Sequence, residues 1–405
     1  MSFRIAGTDG VSLEIGHWRN ILSRMGHEVV LVAGELDGEG ILIPEIHFNY
    51  PEAFEMYRLV MDRKATYAEL EGRILSLAKI IEEKLDKVFE REKFDKLVVC
   101  NVFSLPIHFS LAVALVRVVE KYKMPTIARN HDFWWERGDE YLGLDKSCLE
   151  FYRQYIPTKN KYFKQVVINK IAQKEMKERT GMDSVVIGDT FDFNSKLDKA
   201  DEYASNWRKD FGILKDDLVF LQATRIVRRK QIELAMDLVG KLDDKRIVLV
   251  LAGYEGDGVG NYGDELRKYA KKLGIRIMFI ADRVGSMRKM VDDKRVYTLW
   301  DCYANCNFIT YPSRLEGFGN QFLEAVYFKK PIMVNRYDVY KTDIEPLGFE
   351  VIAIDGKITD KVVVKARGWL KNKERVKEIV EKNFEIAKDN FSYEVRESQL
   401  RRLGF

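Results

Sequence analysis

A chain of 405 residues exceeds what one hydrophobic core usually supports, so two domains of about 200 residues each are expected. Its 46% hydrophobic and 12% aromatic content excludes a disordered chain, and 67 Lys and Arg against 63 Asp and Glu leave a net charge of +4, which makes no case for a nucleic-acid partner. No apolar run reaches the ~18 residues of a membrane span and the first residues carry no signal-peptide pattern, so no transmembrane segment and a cytoplasmic location are expected.

Strand and helix patterns alternate from the start of the chain. Residues 3–7 read as a short strand, followed through Gly7-Thr8-Asp9-Gly10 by an amphipathic helix over 12–25. Leu13, Trp18, Ile21, Leu22 and Met25 form the apolar side of that helix, and Gly26 stops it. Gly10 would let a ligand approach a helix start that favours an anion. A strand over 28–33 comes next, then a long charged helix over 67–91 with Leu70, Ile74, Leu77, Ile81, Leu85 and Val88 at three- and four-residue spacings. Further strands are expected at 97–101, 126–129, 166–169 and 185–187. Such alternation implies an α/β fold with a parallel sheet covered on both faces.

Between 193 and 215 the pattern lapses into a polar stretch, Asn194-Ser-Lys-Leu-Asp-Lys-Ala-Asp201, which is expected to be a linker and hinge. A second series then supplies strands at 218–223, 246–252, 275–281, 307–311, 331–334 and 350–354, and helices at 376–387 and 393–403. The expected division is 1–195, completed by a C-terminal helix in 390–405, and 196–389. Ligands of open parallel sheets lie beyond the carboxyl ends of strands, so two facing sheets would define an interdomain cleft.

The residues that carry chemistry sit at those strand ends. In Tyr311-Pro-Ser-Arg-Leu-Glu316-Gly-Phe-Gly-Asn-Gln-Phe-Leu-Glu324-Ala325 two carboxylates flank a glycine-bearing turn that opens a helix near Asn320. Glycines 317 and 319 let backbone N–H groups approach a ligand, the helix start offers unpaired donors to a phosphate, and Glu316 and Glu324 can each accept hydrogen bonds from a vicinal diol. Acidic residues placed for capping and dipole reasons are the alternative.

Ala223-Thr-Arg225-Ile-Val-Arg-Arg-Lys230 places Arg225 and Lys230 where a diphosphate would need cations, or else forms a solvated charged turn. Gly253-Tyr-Glu-Gly256-Asp-Gly258 ends a strand in a glycine-rich turn that would admit a base or phosphate, although a strand-to-helix connection uses glycine for geometry anyway. Thr126-Ile-Ala-Arg-Asn-His131-Asp132 puts a histidine just past a buried strand, where it can serve a sugar hydroxyl or the structure alone. Trp134 and Trp135 follow it, fit for sugar stacking or for core packing. The four cysteines, Cys100, Cys148, Cys302 and Cys306, read as buried free thiols rather than as a disulfide framework or metal site.

Taken together these motifs resemble the retaining glycosyltransferases of family 4 (group 1), whose GT-B fold has two facing Rossmann-like domains. The resemblance spans almost the whole chain and is most specific in the second half, where three motifs occur in order: the Arg225 to Lys230 spacing, the Gly253 turn, and the two glutamates with seven residues between them. It implies that Glu316 contacts the donor hexose, Glu324 the ribose diol, and Arg225 with Lys230 the diphosphate. Phe318 and Gly319 would offer backbone amides, the backbone at Arg283-Val284 would hold the base, and His131 would lie near the anomeric carbon. Two segments depart from the family pattern, Thr8-Asp9-Gly10 and Val186-Ile-Gly-Asp-Thr-Phe-Asp192, so acceptor recognition is expected to be unusual.

The implied reaction moves a hexose from a UDP-glucose or GDP-mannose type donor to an acceptor hydroxyl with retention, and needs no cofactor beyond that donor. No Asp-x-Asp of the metal-dependent kind follows a strand of the first half, so no metal is expected. Arg19, Arg129 and Arg137 suit a small phosphorylated or carboxylated acceptor, and a compatible-solute synthase, such as one making mannosylglucosylglycerate precursors, would use one. A GT-B sugar-nucleotide epimerase or hydrolase, and a non-catalytic sugar-binding protein, are the rival readings.

Overall fold

The computed structural model describes residues 1–7, 10–141, 143–197, 201–255 and 261–405. These form two compact units, Met1–Gly188 with Gln399–Phe405, and Asp189–Ser398.

In the first unit a parallel sheet runs in the order β3-β4-β5-β6, with β3 Leu97–Cys100, β4 Thr126–Asn130, β5 Phe163–Val167 and β6 Val185–Val186. A parallel pair, β1 Val32–Ala33 and β2 Ile41–Leu42, belongs to the same unit. The segment expected as a strand over 3–7 forms no regular strand and pairs through isolated bridges, Ser2 with Ala33 and Ile5 with Leu36. The Ser2 amide donates to the Val32 carbonyl (3.2 Å), and the Cys100 amide donates to the Met1 carbonyl (2.9 Å). The chain start therefore lies between β1 and β3, and the connections after it and after β3 diverge, as at the switch point of a doubly wound sheet.

The helix Tyr67–Glu92 starts at a capping box, in which Thr66 accepts from the Glu69 amide and the Glu69 carboxylate accepts from the Thr66 amide. Its stripe from Leu70 to Val88 is buried at the spacings read from the sequence. The first helix, Gly10–Arg24, departs from the expected face: Leu13 is 39% exposed, and Glu14 is fully buried between Ser12 and Ile15.

The second unit holds a six-stranded, all-parallel sheet in the order β15-β14-β13-β7-β8-β9. Its strands are β7 Leu218–Gln222, β8 Ile247–Leu251, β9 Arg276–Phe279, β13 Phe308–Tyr311, β14 Ile332–Asn335 and β15 Ile352–Ile354. This is the doubly wound order, and its switch point falls between β7 and β13. The central strands are buried and largely apolar, and the apolar residues of Ile232–Leu242 and Asp360–Lys371 share one core with them. Three short strands, β10 Val284–Gly285, β11 Lys289–Val291 and β12 Lys294–Thr298, form a small separate sheet.

The described residues of the expected linker at 193–215 lie within the second unit, which starts at Asp189 rather than at 196. The reason is packing. Trp207 is fully buried, the Tyr327 hydroxyl donates to the Ser195 carbonyl (2.9 Å), and the Asp210 carboxylate accepts from Arg283 (3.1 Å) and Tyr297 (2.8 Å). Of the last helix, Tyr393–Arg402, only the end from Gln399 onward groups with the first unit.

Candidate active site

At the switch point of the second sheet, the loops after β7 and β13 bring three sequence-predicted cationic and acidic side chains into two neighbouring turns. Lys230 ends a short 3-10 turn, Arg228–Lys230, and its ammonium forms an ion pair with Glu316 Oε1. Arg229 supports the same carboxylate, with Nη1 3.4 Å from Glu316 Oε2 and 2.9 Å from the Leu315 carbonyl. The Arg314 amide donates back to the Arg229 carbonyl (2.9 Å), which ties the two loops together.

Burial alone would raise the Glu316 carboxyl. The charge and hydrogen bond of Lys230, with Arg229 behind it, outweigh burial and hold it below its ordinary value. Lys230 is shifted down by its own burial, opposed by Glu316. Arg228 serves the surface instead, pairing with Glu265 at 2.7 Å and lying over the Tyr262 ring. Arg225 is exposed and has no ion-pair partner among the described residues.

Gly253 packs directly against the loop that carries Arg225. A Cβ there would lie 1.9 Å from the Thr224 carbonyl oxygen and 2.7 Å from the Arg225 amide nitrogen, so the close approach expected at this glycine is made by the chain's own peptide. The Ile226 amide then donates to the Tyr254 carbonyl (2.8 Å). Gly256 and Gly258 lie outside the described residues.

Gly319 precedes the helix Asn320–Tyr327 at φ +130°, and a Cβ on it would meet the Tyr337 hydroxyl at 2.3 Å. That hydroxyl donates to the Phe318 carbonyl (2.7 Å), fixing the turn. No side chain caps the helix, and Asn320 Oδ1 is buried without a hydrogen-bond partner among the described residues. One turn on, Glu324 is buried and its Oε2 accepts from the Tyr303 hydroxyl at 2.5 Å.

The Arg283 side chain turns away to the fold. Its guanidinium donates to the Arg295 and Asp210 carbonyls (both 3.0 Å) and stacks over Phe211. The Val284 carbonyl accepts from the Tyr254 hydroxyl, so part of the backbone expected to hold a base is already engaged. In the segment that departs from the family turn, Thr190 Oγ1 and the Phe191 amide both donate to the Phe391 carbonyl, an anchoring role.

In the first unit, His131 follows β4 and is built into a chain of polar contacts. Arg129 Nη1 lies 2.9 Å from His131 Nε2, and since a guanidinium only donates, Nε2 accepts and the ring proton is on Nδ1. Arg129 Nη2 pairs with Glu14 Oε2 at 2.9 Å, with both side chains fully buried, and Glu14 Oε1 meets His17 Nδ1 at 3.1 Å. The His131 amide donates to Asn101 Oδ1 (2.8 Å), held by Asn101 at φ +62° just past β3.

Of the arginines expected to face an anionic acceptor, Arg129 is therefore spent on Glu14 and His131. Arg137 pairs with Asp132, and Arg19 is exposed. Gly10 begins the first helix and is exposed; Thr8 and Asp9 lie outside the described residues.

Sequence reasoning missed Glu14, Asn101, Arg229 and Tyr303. Only Glu14 carried a readable signal, as a carboxylate on an apolar helix face that must find a partner. Among the described residues no cluster of three His, Cys, Asp or Glu side chains could hold a metal ion, and no helix is long and apolar enough to cross a membrane.

The sequence pattern described as Glycosyl transferases group 1 matches residues 204–398. A mannosylglucosylglycerate synthase of Petrotoga mobilis is 35% identical over 88% of this chain and 86% of its own length. One of Thermotoga maritima is 33% identical over 97% and 96%. Among solved structures, HepE of Anabaena in complex with UDP superposes with a TM-score of 0.65 at 14% identity, covering 99% of this chain and 98% of that one. A glycosyltransferase of Rickettsia africae gives 0.66 at 14% identity, covering 99% and 97%. Two Rossmann-like units with this strand order, the paired motifs at the switch point and these relatives lead to one assignment: the chain belongs to the group 1 glycosyl transferases and is a glycosyltransferase of GT-B fold.

Proposed function

We propose that the enzyme moves a mannosyl group, with retention, from GDP-mannose to glucosylglycerate. The observation that carries the donor half is the Lys230–Glu316 pair at the switch point of the second sheet, where the doubly wound fold binds its ligands. An ammonium has three donors and a carboxylate about four acceptor positions, so the pair can hold itself while Lys230 also meets a diphosphate oxygen and Glu316 a sugar hydroxyl. Arg225 adds an exposed cation on the same loop. The acceptor and the sugar are read from the two relatives, both mannosylglucosylglycerate synthases and both aligned along most of their length.

Glu316 then binds the hexose and Glu324 the ribose diol, while amides at Phe318, Gly319 and Asn320 face the diphosphate. The acceptor hydroxyl attacks the anomeric carbon on the face the diphosphate leaves, and a departing phosphate oxygen takes its proton. Arg225 and Lys230 balance the charge that builds on the leaving group. His131, with its proton on Nδ1, donates a hydrogen bond near the reacting carbon and is not a base through Nε2. Turnover without a divalent cation belongs to the same reading. So does a cytoplasmic location, which four buried free cysteines suit.

The test is incubation of the enzyme with GDP-mannose or UDP-glucose and glucosylglycerate, with and without EDTA. Product mass and the anomeric coupling of the new linkage are read by mass spectrometry and NMR. Mannosylglucosylglycerate with the donor's α configuration is expected in both conditions. Absence of mannosyl transfer would refute the acceptor and donor, and an inverted linkage or an EDTA-sensitive rate would refute those parts of the mechanism.

A further inference from the structure

We propose that Tyr303 is a positioning residue for donor binding, holding the Glu324 carboxylate in the orientation that accepts the ribose diol. This rests on the reading of Glu324 given above. The Tyr303 hydroxyl donates to Glu324 Oε2 at 2.5 Å, and both groups are buried. A short bond between a hydroxyl and a carboxylate is charge-assisted, and it fixes one oxygen so that the carboxylate plane cannot swing.

The ring that carries the hydroxyl is itself fixed. It stacks on Phe328 with centroids 5.2 Å apart at 10°, and on Trp300 at 6.3 Å and 28°. Its helix, Leu299–Asn305, begins at a capping box of Thr298 and Asp301, and the Asp301 carboxylate is gripped by Arg288. Burial, reinforced by the Glu324 charge, pushes the Tyr303 hydroxyl far above its ordinary value, so it stays a donor at any working pH.

The helix Asn320–Tyr327 places Glu324 one turn beyond the Gly319 turn, so its side chain has few ways to meet a ligand. A rotated carboxylate would offer one acceptor oxygen where two adjacent hydroxyls need two. Binding to the diol thus depends on a residue that need not touch the donor.

The experiment is calorimetric titration of wild type, Y303F and E324Q with GDP and with 2′,3′-dideoxy-GDP, beside steady-state kinetics in the donor. Y303F is expected to weaken GDP roughly tenfold, the worth of one charge-assisted hydrogen bond, to leave the dideoxy nucleotide unchanged, and to raise the donor KM while kcat stays within about twofold. Full retention of the diol preference in Y303F, with E324Q losing it, would overturn the proposal and leave the role of Glu324 standing. Equal weakening of both nucleotides would reduce Tyr303 to packing and overturn it as well. No preference for GDP over the dideoxy form in wild type, or no binding of GDP, would remove the donor reading itself and this inference with it.

Should Y303F not fold, amide exchange of the wild type reads the same coupling. Protection of Leu299–Asn305 by GDP and not by the dideoxy form is expected, and equal protection overturns the proposal.

Discussion

Lys230 and Glu316 stand on opposite sides of the switch point and form an ion pair whose side chains are 9% and 11% exposed. Such a pair has two consequences that can be separated. Removing one partner strands a buried charge, which costs about 3–5 kcal/mol, whereas removing both charges together can be nearly neutral. K230A is therefore expected to lower stability by that order and to abolish turnover. E316Q should cost less stability, about 1–3 kcal/mol, and reduce kcat about a hundredfold or more. The double variant K230M/E316Q should regain most of the stability and none of the activity. Urea unfolding beside initial rates checks this, and a double variant that is both stable and active would show that the pair only packs.

How much of this was legible in the sequence depends on the range of the interaction. The alternation of apolar runs placed all six strands of the second sheet within a few residues, because strands buried on both faces leave no other pattern. The first sheet was less readable, since the chain start pairs with its neighbour only through isolated bridges and its side chains look like any short apolar run. Motif spacing located Lys230 and Glu316, yet nothing in it said that they would pair with each other. The stretch at 193–215 looked like a linker because it is polar, and Asp210, which binds it into the second unit, acts through partners 73 and 87 residues away. Tyr303 lies in a run of aromatic residues that reads as core, and only the fold reveals that its hydroxyl ends on Glu324.

A second expectation concerns acid stability of the second unit. Asp217 is buried and bidentate to Arg276 (2.6 and 2.8 Å), and this hydrogen bonding holds its carboxyl below the ordinary 3.8. A carboxyl depressed in the folded state stabilises above its unfolded value and loses that contribution as pH falls through the folded one. D217N should therefore be less stable than wild type by about 1–3 kcal/mol at pH 7, and the gap should begin to narrow as pH falls below 3.8 and go on narrowing until the folded carboxyl protonates. Denaturant midpoints followed from pH 7 down through the acid range test it; a gap that does not narrow anywhere below pH 3.8 would mean packing rather than charge sets the cost.

The contact from Arg129 fixes the tautomer of His131, and this can be observed directly. Nitrogen-15 spectra of the histidine rings should place the His131 proton on Nδ1, the reverse of the form favoured by free imidazole side chains. Changing the ring should then cost a donor to the substrate, so H131A is expected to lose about a hundredfold in kcat with little change in melting temperature. A proton found on Nε2, or near-normal rates in H131A, would remove His131 from the reaction.

The last expectation follows from the missing Cβ at Gly253. An added methyl group would overlap the Thr224 carbonyl at 1.9 Å, and because that neighbour is backbone it cannot rotate aside. The loop must move, and the first side chain it carries is Arg225, proposed to hold the diphosphate. G253A should thus cost about 1–3 kcal/mol of stability and weaken nucleoside diphosphate binding. If the loss runs through Arg225, G253A should weaken binding far less when Arg225 is already alanine, a non-additivity that a double-mutant cycle on GDP affinity measures. Additive losses would mean that Gly253 meets the ligand independently, as the glycine turn suggested before the Thr224 peptide was found in its place.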